Sequence, residues 1–459
     1  MMVLSRQADL SEIQSKLMPW LQKKMSQAQN LSISGMKRPE AGWASDTFVF
    51  DLSWQEAGQQ RSEGMVLRRS SQPPLFPDHD LRRQFRVMEC LQETDIPVPK
   101  VYWLERDESI LGAPFYLMGK IEGVIPSDYP VYHSFGVYYD ATPEQRAKMW
   151  WGCVEAMAKI HKLDWRSLGL SFLGVPKEGT STLGGLLDYY KEYLNWIKED
   201  PQEPQPIMEA AIAWLRENRY TPEHLTLCWG DSRMSNIVYG PDFEVLAVLD
   251  WEIAYLGDPE CELGWLLFLD WANSDANSIP RLEGTPGTEE TVQRYEELTG
   301  WKVRNLFYNE VLAAVRLGVT MLKMYKNMKA AGIPLAPEDI ELNNFCTQRL
   351  ASQLNLPPPG PSQVVARLEE VTVTAQFHHT GPGGRDWYLV SDRGKVTVHE
   401  GTVENPNVTL NVSAKDWEAI QRGELGRTEA WLTGKLKTEG DMGLLMQLEG
   451  VLSNLGGSN

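Results

Sequence analysis

Apolar residues return every third or fourth position across residues 8–28, at Leu10, Ile13, Leu17, Trp20 and Leu21. That spacing predicts an amphipathic helix. The pattern then shortens into strand-like runs near 30–35, 46–53 and 64–69, followed by a helical stretch over about 78–92. Phe115–Met118 reads as a further strand. Thr142-Pro143-Glu144-Gln145 is a capping box with proline at the first helical position. Trp150, Cys153, Val154, Met157, Ile160 and His161 make one apolar face of the helix it opens. Ile237–Tyr239 and Val245–Leu249 read as two short buried strands joined by Gly240-Pro241-Asp242. Helices are expected over about 286–298, 305–330 and 336–353.

The pattern breaks at Leu354-Asn-Leu-Pro-Pro-Pro-Gly-Pro-Ser362, where four prolines and a glycine predict a stiff extended spacer. Beyond it, Asp386–Val390, Lys395–His399 and Val408–Val412 read as short strands. Ser413 caps a helix that Gly423 ends. A last amphipathic helix would carry Met442, Leu445, Met446, Leu448, Val451, Leu452 and Leu455.

At 459 residues the chain is long for a single core, and two or three domains are the expectation. Hydrophobic residues at 42% and charged residues at 23% describe an ordinary globular protein. The net charge of −18 argues against a nucleic-acid surface, whose affinity comes from cations set against phosphates. The five cysteines are scattered and odd in number, which suits reduced thiols and no metal or disulfide framework. No signal-peptide pattern opens the chain and no apolar run is long enough to span a bilayer, so a cytoplasmic or peripheral protein is expected.

Candidate chemistry concentrates in one segment. Asp231, Asn236 and Asp250 stand in Trp229-Gly-Asp-Ser-Arg-Met-Ser-Asn236 and Val248-Leu-Asp-Trp-Glu252. Phosphoryl transfer from a nucleotide needs one carboxylate to take the proton of the attacking hydroxyl. It also needs an amide and a second carboxylate to hold Mg²⁺ against the phosphates. The D-x-x-x-x-N spacing of Asp231 and Asn236 suits that division of labour, and Asp250 closes a second strand that would face the same cleft. Glu252, two residues on along an extended chain, would face the same side and help hold metal. Arg233 is expected to contact phosphate or brace the loop.

The Trp229–Asn236 and Asp250-Trp251-Glu252 segments resemble the aminoglycoside phosphotransferase-like small-molecule kinases. The narrower likeness is to the kinase domain of acyl-CoA dehydrogenase family members 10 and 11. The resemblance implies ATP and Mg²⁺ as cofactors, Asp231 as catalytic base, and Asn236 and Asp250 as metal ligands. Trp229 stands where that family usually has a loop-propping histidine. Gly42, Ser45 and Asp46 are the implied phosphate cover, and Arg68 replaces the usual phosphate-binding lysine. Gln84 replaces the glutamate that partners it, and a glutamine there can hydrogen-bond the guanidinium without bringing charge. Gly119, through its carbonyl, and Ile121, through its N–H, are the implied adenine contacts. His161 is expected to be a hydrogen-bonded core residue. Asp258, in the Leu256-Gly-Asp-Pro259 turn, should brace the catalytic loop. Trp265, Phe268, Trp271, Phe307, Tyr308, Met321, Met324 and Tyr325 are expected mostly in the core, a few lining an acceptor pocket.

The Gly434-Lys-Leu-Lys-Thr-Glu-Gly-Asp441 segment resembles the hallmark of sterol carrier protein type-2 domains. That family's fold implies a five-stranded sheet with helices around an apolar tunnel, lined here by Met442, Leu445, Met446 and Leu452. The expected class is therefore α+β, a bilobal protein-kinase-like fold followed by a small sterol-carrier-type domain. Its parts would be residues 1–355 (N-lobe about 28–118, helical lobe about 124–353), a linker at 356–362, and 363–459. The expected function is phosphorylation of a hydroxyl on a small molecule, most naturally a hydroxylated acyl-CoA, fatty acid or sterol-like lipid. A nucleotide-binding pseudokinase with a lipid-binding tail and an aminoglycoside phosphotransferase are the alternatives.

Overall fold

The computed structural model describes residues 10–38, 45–70, 74–77, 80–174, 182–330, 339–360, 372–393, 395–422, 425, 430 and 434–440. Two compact units are present. One comprises Met1–Ile125, Glu144–Phe268 and Gly284–Lys323; the other comprises Pro126–Pro143, Leu269–Glu283 and Met324–Asn459.

The first unit opens with helix α1 (Leu10–Lys24), whose buried residues are the predicted Ile13, Leu17, Trp20 and Leu21. Strands β1 (Gln29–Lys37), β2 (Ser45–Glu56) and β3 (Gln59–Ser70) follow, then helix α2 (Leu81–Leu91). Strand β4 (Val101–Glu105), helix α3 (Glu108–Leu111) and strand β5 (Phe115–Gly119) complete this part. The sheet order is β1-β2-β3-β5-β4. Strand β4 is an edge strand that the hydrophobic pattern did not mark, since its residues are mostly half-buried. The apolar face of α1 joins Phe48, Phe50, Met65, Leu67, Phe115 and Leu117 in one core. Burying each such side chain contributes roughly 1.5–3 kcal/mol. Trp20 is held edge-on to Phe115 and donates through Nε1 to Glu105.

After the short helix α4 (Val137–Asp140), helix α5 (Pro143–His161) starts at the predicted proline and buries the predicted face. Helices α6 (Thr182–Ile197) and α7 (Pro206–Glu217) lead to strand β6 (Thr226–Cys228). The hairpin of β7 (Ile237–Tyr239) and β8 (Val245–Val248) follows, then β9 (Tyr255–Gly257), which pairs with β6. Helices α8 (Glu260–Ala272), α9 (Thr288–Thr299) and α10 (Leu306–Ala330) come next. The β7–β8 hairpin is tied to the segment after β5 by reciprocal backbone bonds between Val124 and Tyr239, 2.8 Å each.

In the second unit, the buried carboxylate of Asp270 accepts from Tyr132 (2.7 Å), His133 (3.0 Å) and Arg281 (2.6 Å), joining segments 126–143 and 269–283. Helix α11 (Phe345–Gln353) begins later than the expected 336. The side chain of Asn344 accepts from the N–H groups of Cys346 and Thr347 and so sets the first turn. Strands β10 (Thr372–Thr380), β11 (Asp386–Asp392), β12 (Lys395–Glu400), β13 (Val408–Ser413) and β14 (Leu436–Gly440) form a five-stranded sheet. Its order is β12-β11-β10-β13-β14, with β10 and β13 parallel and the other pairs antiparallel. Helix α12 (Ala414–Gln421) is capped by Ser413 as expected. Phe377, Leu389, Leu410, Val412, Ile420 and Leu436 anchor a core of this sheet's own. The expected helix carrying Met442, Leu445, Met446 and Leu452 lies outside the described residues. Among the described residues, no helix is long and apolar enough to cross a membrane.

Candidate active site

The three predicted chemistry-bearing residues come together at the open end of the β7–β8 hairpin, in the first unit. Ile237 pairs with Val248, and the next backbone bond runs from Leu249 N to the Asn236 carbonyl at 2.8 Å. That bond sets Asn236 beside the residue preceding Asp250. Asn236 Nδ2 donates to Asp231 Oδ2 at 2.8 Å and to the Asp231 carbonyl at 3.0 Å. With its N–H groups turned to Asp231, the Asn236 amide offers its oxygen as the group left for a cation.

Both oxygens of Asp231 are oriented. Oδ1 accepts from Trp265 Nε1 at 3.0 Å, while Oδ2 faces Asn236 and Arg233 Nε, the latter at 3.0 Å. Arg233 thus braces the loop.

Asp250 sits at φ +61°, in the left-handed region. Aspartate enters that region more readily than most side chains because it is short and polar. The chain therefore does not run extended from Asp250 to Glu252, as the sequence suggested. A turn at 252–253 follows, and both carboxylates nevertheless meet Arg68. Nη2 of Arg68 lies 3.5 Å from Asp250 Oδ1 and 3.6 Å from Glu252 Oε2. Burial, and then the adjacent Asp250, push the Glu252 carboxyl well above the usual range.

Gln84 corrects a second expectation. It does not bond Arg68. Its Nε2 donates to Asp250 Oδ1 at 3.0 Å, and its Oε1 accepts from the Tyr116 hydroxyl at 2.5 Å. The reason is electrostatic: Arg68 already faces two carboxylates, and Asp250 still has acceptor capacity to fill.

Several residues that hold the loop were not legible as functional. Glu262 accepts from the N–H groups of Trp229 and Gly230 at 2.6 Å each, one on each oxygen. Arg316, fully buried, donates to the Gly230 carbonyl at 2.5 Å and lies 4.3 Å over the Trp265 ring. Each is a lone charge in an otherwise apolar run, Cys261–Leu269 and Ala313–Val319, and a charge buried in such a run must be paired. Gly230 itself sits at φ +96°, where a Cβ would meet the Ile253 carbonyl oxygen at 2.3 Å, so no other residue fits. Trp229, in the place of the family's histidine, donates through Nε1 to the Leu249 carbonyl at 2.7 Å. It therefore links the Asp231 loop to the residue before Asp250.

His161 is the hydrogen-bonded core residue expected, facing the Tyr295 hydroxyl at 2.7 Å and Glu262 at 3.3 Å. His161, Cys228 and Glu262 bring ligand atoms within 4.8 Å of one another. The Glu262 oxygens are already taken by the loop, however, so this trio is a brace. Asp258 braces the neighbouring strands. It accepts from the Tyr220 hydroxyl and the Glu260 N–H, and its carbonyl faces Cys228 Sγ.

Burial pushes the Asp258 carboxyl up to about 6. An acid with a raised folded pKa binds more protons folded than unfolded, so its contribution to stability falls as pH rises from about 4 to about 6. Asp258→Asn should gain on the unmodified chain across that interval, by no more than roughly 3 kcal/mol. Paired thermal melts at pH 4, 5 and 6 read this; parallel pH dependence of the two chains would contradict it.

The remaining predicted residues are dispersed. The Asp46 carboxylate is ion-paired to Arg69 at 2.5 Å and to Arg38 at 3.6 Å. Gly42 lies outside the described residues, and Ser45 is described only as the first residue of β2. Gly119 ends β5, its N–H bonded to the Lys100 carbonyl at 2.8 Å, and Ile121 follows half-buried.

The sequence matches the phosphotransferase enzyme family over residues 36–302, more than half of the chain. The chain belongs to that family. Residues 360–453 match the SCP-2 sterol transfer family, and the five-stranded sheet lies within them. Among curated relatives, mouse acyl-CoA dehydrogenase family member 10 is 32% identical over 48% of this chain and 19% of its own length. Human acyl-CoA dehydrogenase family member 11 is 29% identical over 56% of this chain and 31% of its own. The chain thus spans less than a third of the length of these relatives. A solved structure from Ralstonia eutropha, assigned to the aminoglycoside phosphotransferases, superposes with a TM-score of 0.54 at 23% identity, covering 74% of this chain and 95% of that one. That likeness is one of fold: the chain has the family's kinase-like architecture of mixed helices and sheets.

Proposed function

We propose that this phosphotransferase-family chain moves the γ-phosphoryl group of ATP to a hydroxyl on an acyl-CoA, fatty acid or sterol-like molecule, in the cytoplasm. One observation supports the reading above the others. Arg68 Nε and Glu252 Oε2 are buried at the same site and neither makes a hydrogen bond, Oε2 standing 3.6 Å from Arg68 Nη2. An unmet buried donor and an unmet buried acceptor are costly, and a phosphate and a divalent cation are the groups that would satisfy them. The donor set, an amide oxygen and two carboxylates, is the hard-oxygen chemistry Mg²⁺ takes.

Asp231 would accept the proton of the attacking hydroxyl, its carboxylate already oriented by Trp265, Asn236 and Arg233. Asn236, Asp250 and Glu252 would hold Mg²⁺, which supplies neutralisation of charge on the phosphates. Arg68 would bind phosphate, the Gly119 carbonyl and Ile121 N–H the adenine, and Gly42, Ser45 and Asp46 would cover the phosphates. Asp46 would act through Arg69 and Arg38, with which its carboxylate is paired. Trp229 and Gln84, the two departures from the family pattern, both tether the acidic segments, which weakens the pseudokinase alternative.

The proposed division is a kinase domain at 1–355, a linker at 356–362 and a lipid-binding domain at 363–459. The acyl acceptor is favoured by the names of the curated relatives and by the sterol-transfer match. The test is ADP release by the full chain with Mg·ATP and a panel of hydroxyacyl-CoAs, hydroxylated fatty acids, sterols and aminoglycosides. Hydroxyacyl acceptors should be phosphorylated, with KM falling roughly tenfold for two added carbons, at about 0.8 kcal/mol per buried methylene. Turnover confined to aminoglycosides would overturn the acceptor class.

A further inference from the structure

Residue 84 lies on α2, at the position where the family resemblance implies a glutamate partner for the cation of β3. A glutamate there would form an ion pair with Arg68. The neutral Gln84 reads at first as a weakened copy of that pair. Its surroundings say otherwise. Gln84 is 1% exposed and Tyr116 is wholly buried. The two form one directional chain: the Tyr116 hydroxyl donates to Gln84 Oε1 at 2.5 Å, and Gln84 Nε2 donates to Asp250 Oδ1 at 3.0 Å. Phe85, on the same helix, packs edge-on to the Tyr116 ring at 5.9 Å and holds it in place.

We infer that Gln84 and Tyr116 are positioning residues for Asp250, a buried neutral relay that fixes which carboxylate oxygen is left for the metal. The inference rests on the phosphotransfer reading given above and deepens it.

The chemistry requires an amide at position 84. Tyr116 can only donate to Oε1 if that atom is an acceptor, which turns Nε2 toward Asp250. Asp250 Oδ1 is then engaged by Gln84 and approached by Arg68 at 3.5 Å, so Oδ2 is the oxygen left for a cation. Asp250 holds a left-handed backbone, and the relay engages one of its two carboxylate oxygens. A carboxylate at 84 would accept from Tyr116 equally well but has no proton for Asp250. It would also set a further negative charge beside Asp250 and the Glu252 carboxyl, both of which already face Arg68. Drawn to it, Arg68 would leave the two metal-site carboxylates facing each other.

The sharp consequence is that restoring the family-like acid should harm the site. Calorimetry on the full chain would measure ATP affinity with and without Mg²⁺, and the ratio of the two is the readout. Gln84→Glu should lower that ratio about tenfold or more, the size of a lost hydrogen bond to a charged group. Gln84→Leu should lower it by a similar factor, and Tyr116→Phe by several-fold because the amide is then free to turn over. Metal-free ATP affinity should stay near that of the unmodified chain in Gln84→Leu and Tyr116→Phe, which leave Arg68 with its two carboxylates and so separate mispositioning from general damage; melting temperature checks the fold. Tyr116→Phe keeps the ring packing and carries the test if either Gln84 variant fails to fold. A ratio that rises or holds in Gln84→Glu would overturn the relay and make residue 84 the partner of Arg68, leaving phosphotransfer intact. A ratio unchanged in Tyr116→Phe would overturn the tyrosine's part. An unmodified chain whose ATP affinity ignores Mg²⁺ would sink the phosphotransfer reading, and this inference with it.

Discussion

Asp231→Asn should cut turnover of Mg·ATP by roughly a hundredfold or more, the loss typical when general-base help is removed. ATP affinity should stay within a few-fold. The substitution is close to isosteric, and the loop around it is held by contacts that do not involve the carboxylate. Glu262 anchors the Trp229 and Gly230 N–H groups, and Arg316 anchors the Gly230 carbonyl. The amide cannot take a proton from the acceptor, and it cannot receive Asn236 and Trp265 on both of its atoms as the carboxylate does. Single-turnover kinetics beside nucleotide calorimetry would read both quantities. Near-normal turnover would remove Asp231 from the role of base.

Asp250→Ala should abolish Mg²⁺-dependent nucleotide binding, because an amide and Glu252 alone make a poor site for a cation that demands well-placed oxygens. Alanine at φ +61° also strains the backbone, by roughly 1–2 kcal/mol. Asp250→Asn is the control: it tolerates the left-handed backbone and removes only the charge. Both variants should lose the metal effect. Metal-free ATP affinity should not fall in either, since Arg68 is released from one of its two carboxylates. Equal Mg·ATP affinity in variant and unmodified chain would contradict the assignment of Asp250 to the metal.

What could be read in advance follows from local chemistry. The face of α5, its start at Pro143, the cap of α12 at Ser413 and the β7–β8 hairpin depend on contacts within a few residues, and those contacts are written in the order of side chains. The gathering of Asp231, Asn236 and Asp250 was legible for the same reason: one hairpin brings them together. Edge strand β4 and strand β10 were not legible, because half-buried edges and a strand rich in polar residues lack a clear alternation. The late start of α11 turns on one capping side chain, Asn344.

By itself the sequence determined the class of chemistry, since residue types and spacing decide which groups can accept protons, hold a hard cation or bind phosphate. Only the tertiary structure decided how those groups are held. Gln84 meets Asp250 across 166 positions, Arg68 meets it across 182, and Arg316 reaches Gly230 across 86. No local pattern encodes such pairings, because a buried charge takes whichever partner the packed core brings within hydrogen-bond reach. Trp229 and Gln84 therefore look like losses when compared position by position with the family. Folded, each donates a hydrogen bond that ties an acidic segment in place.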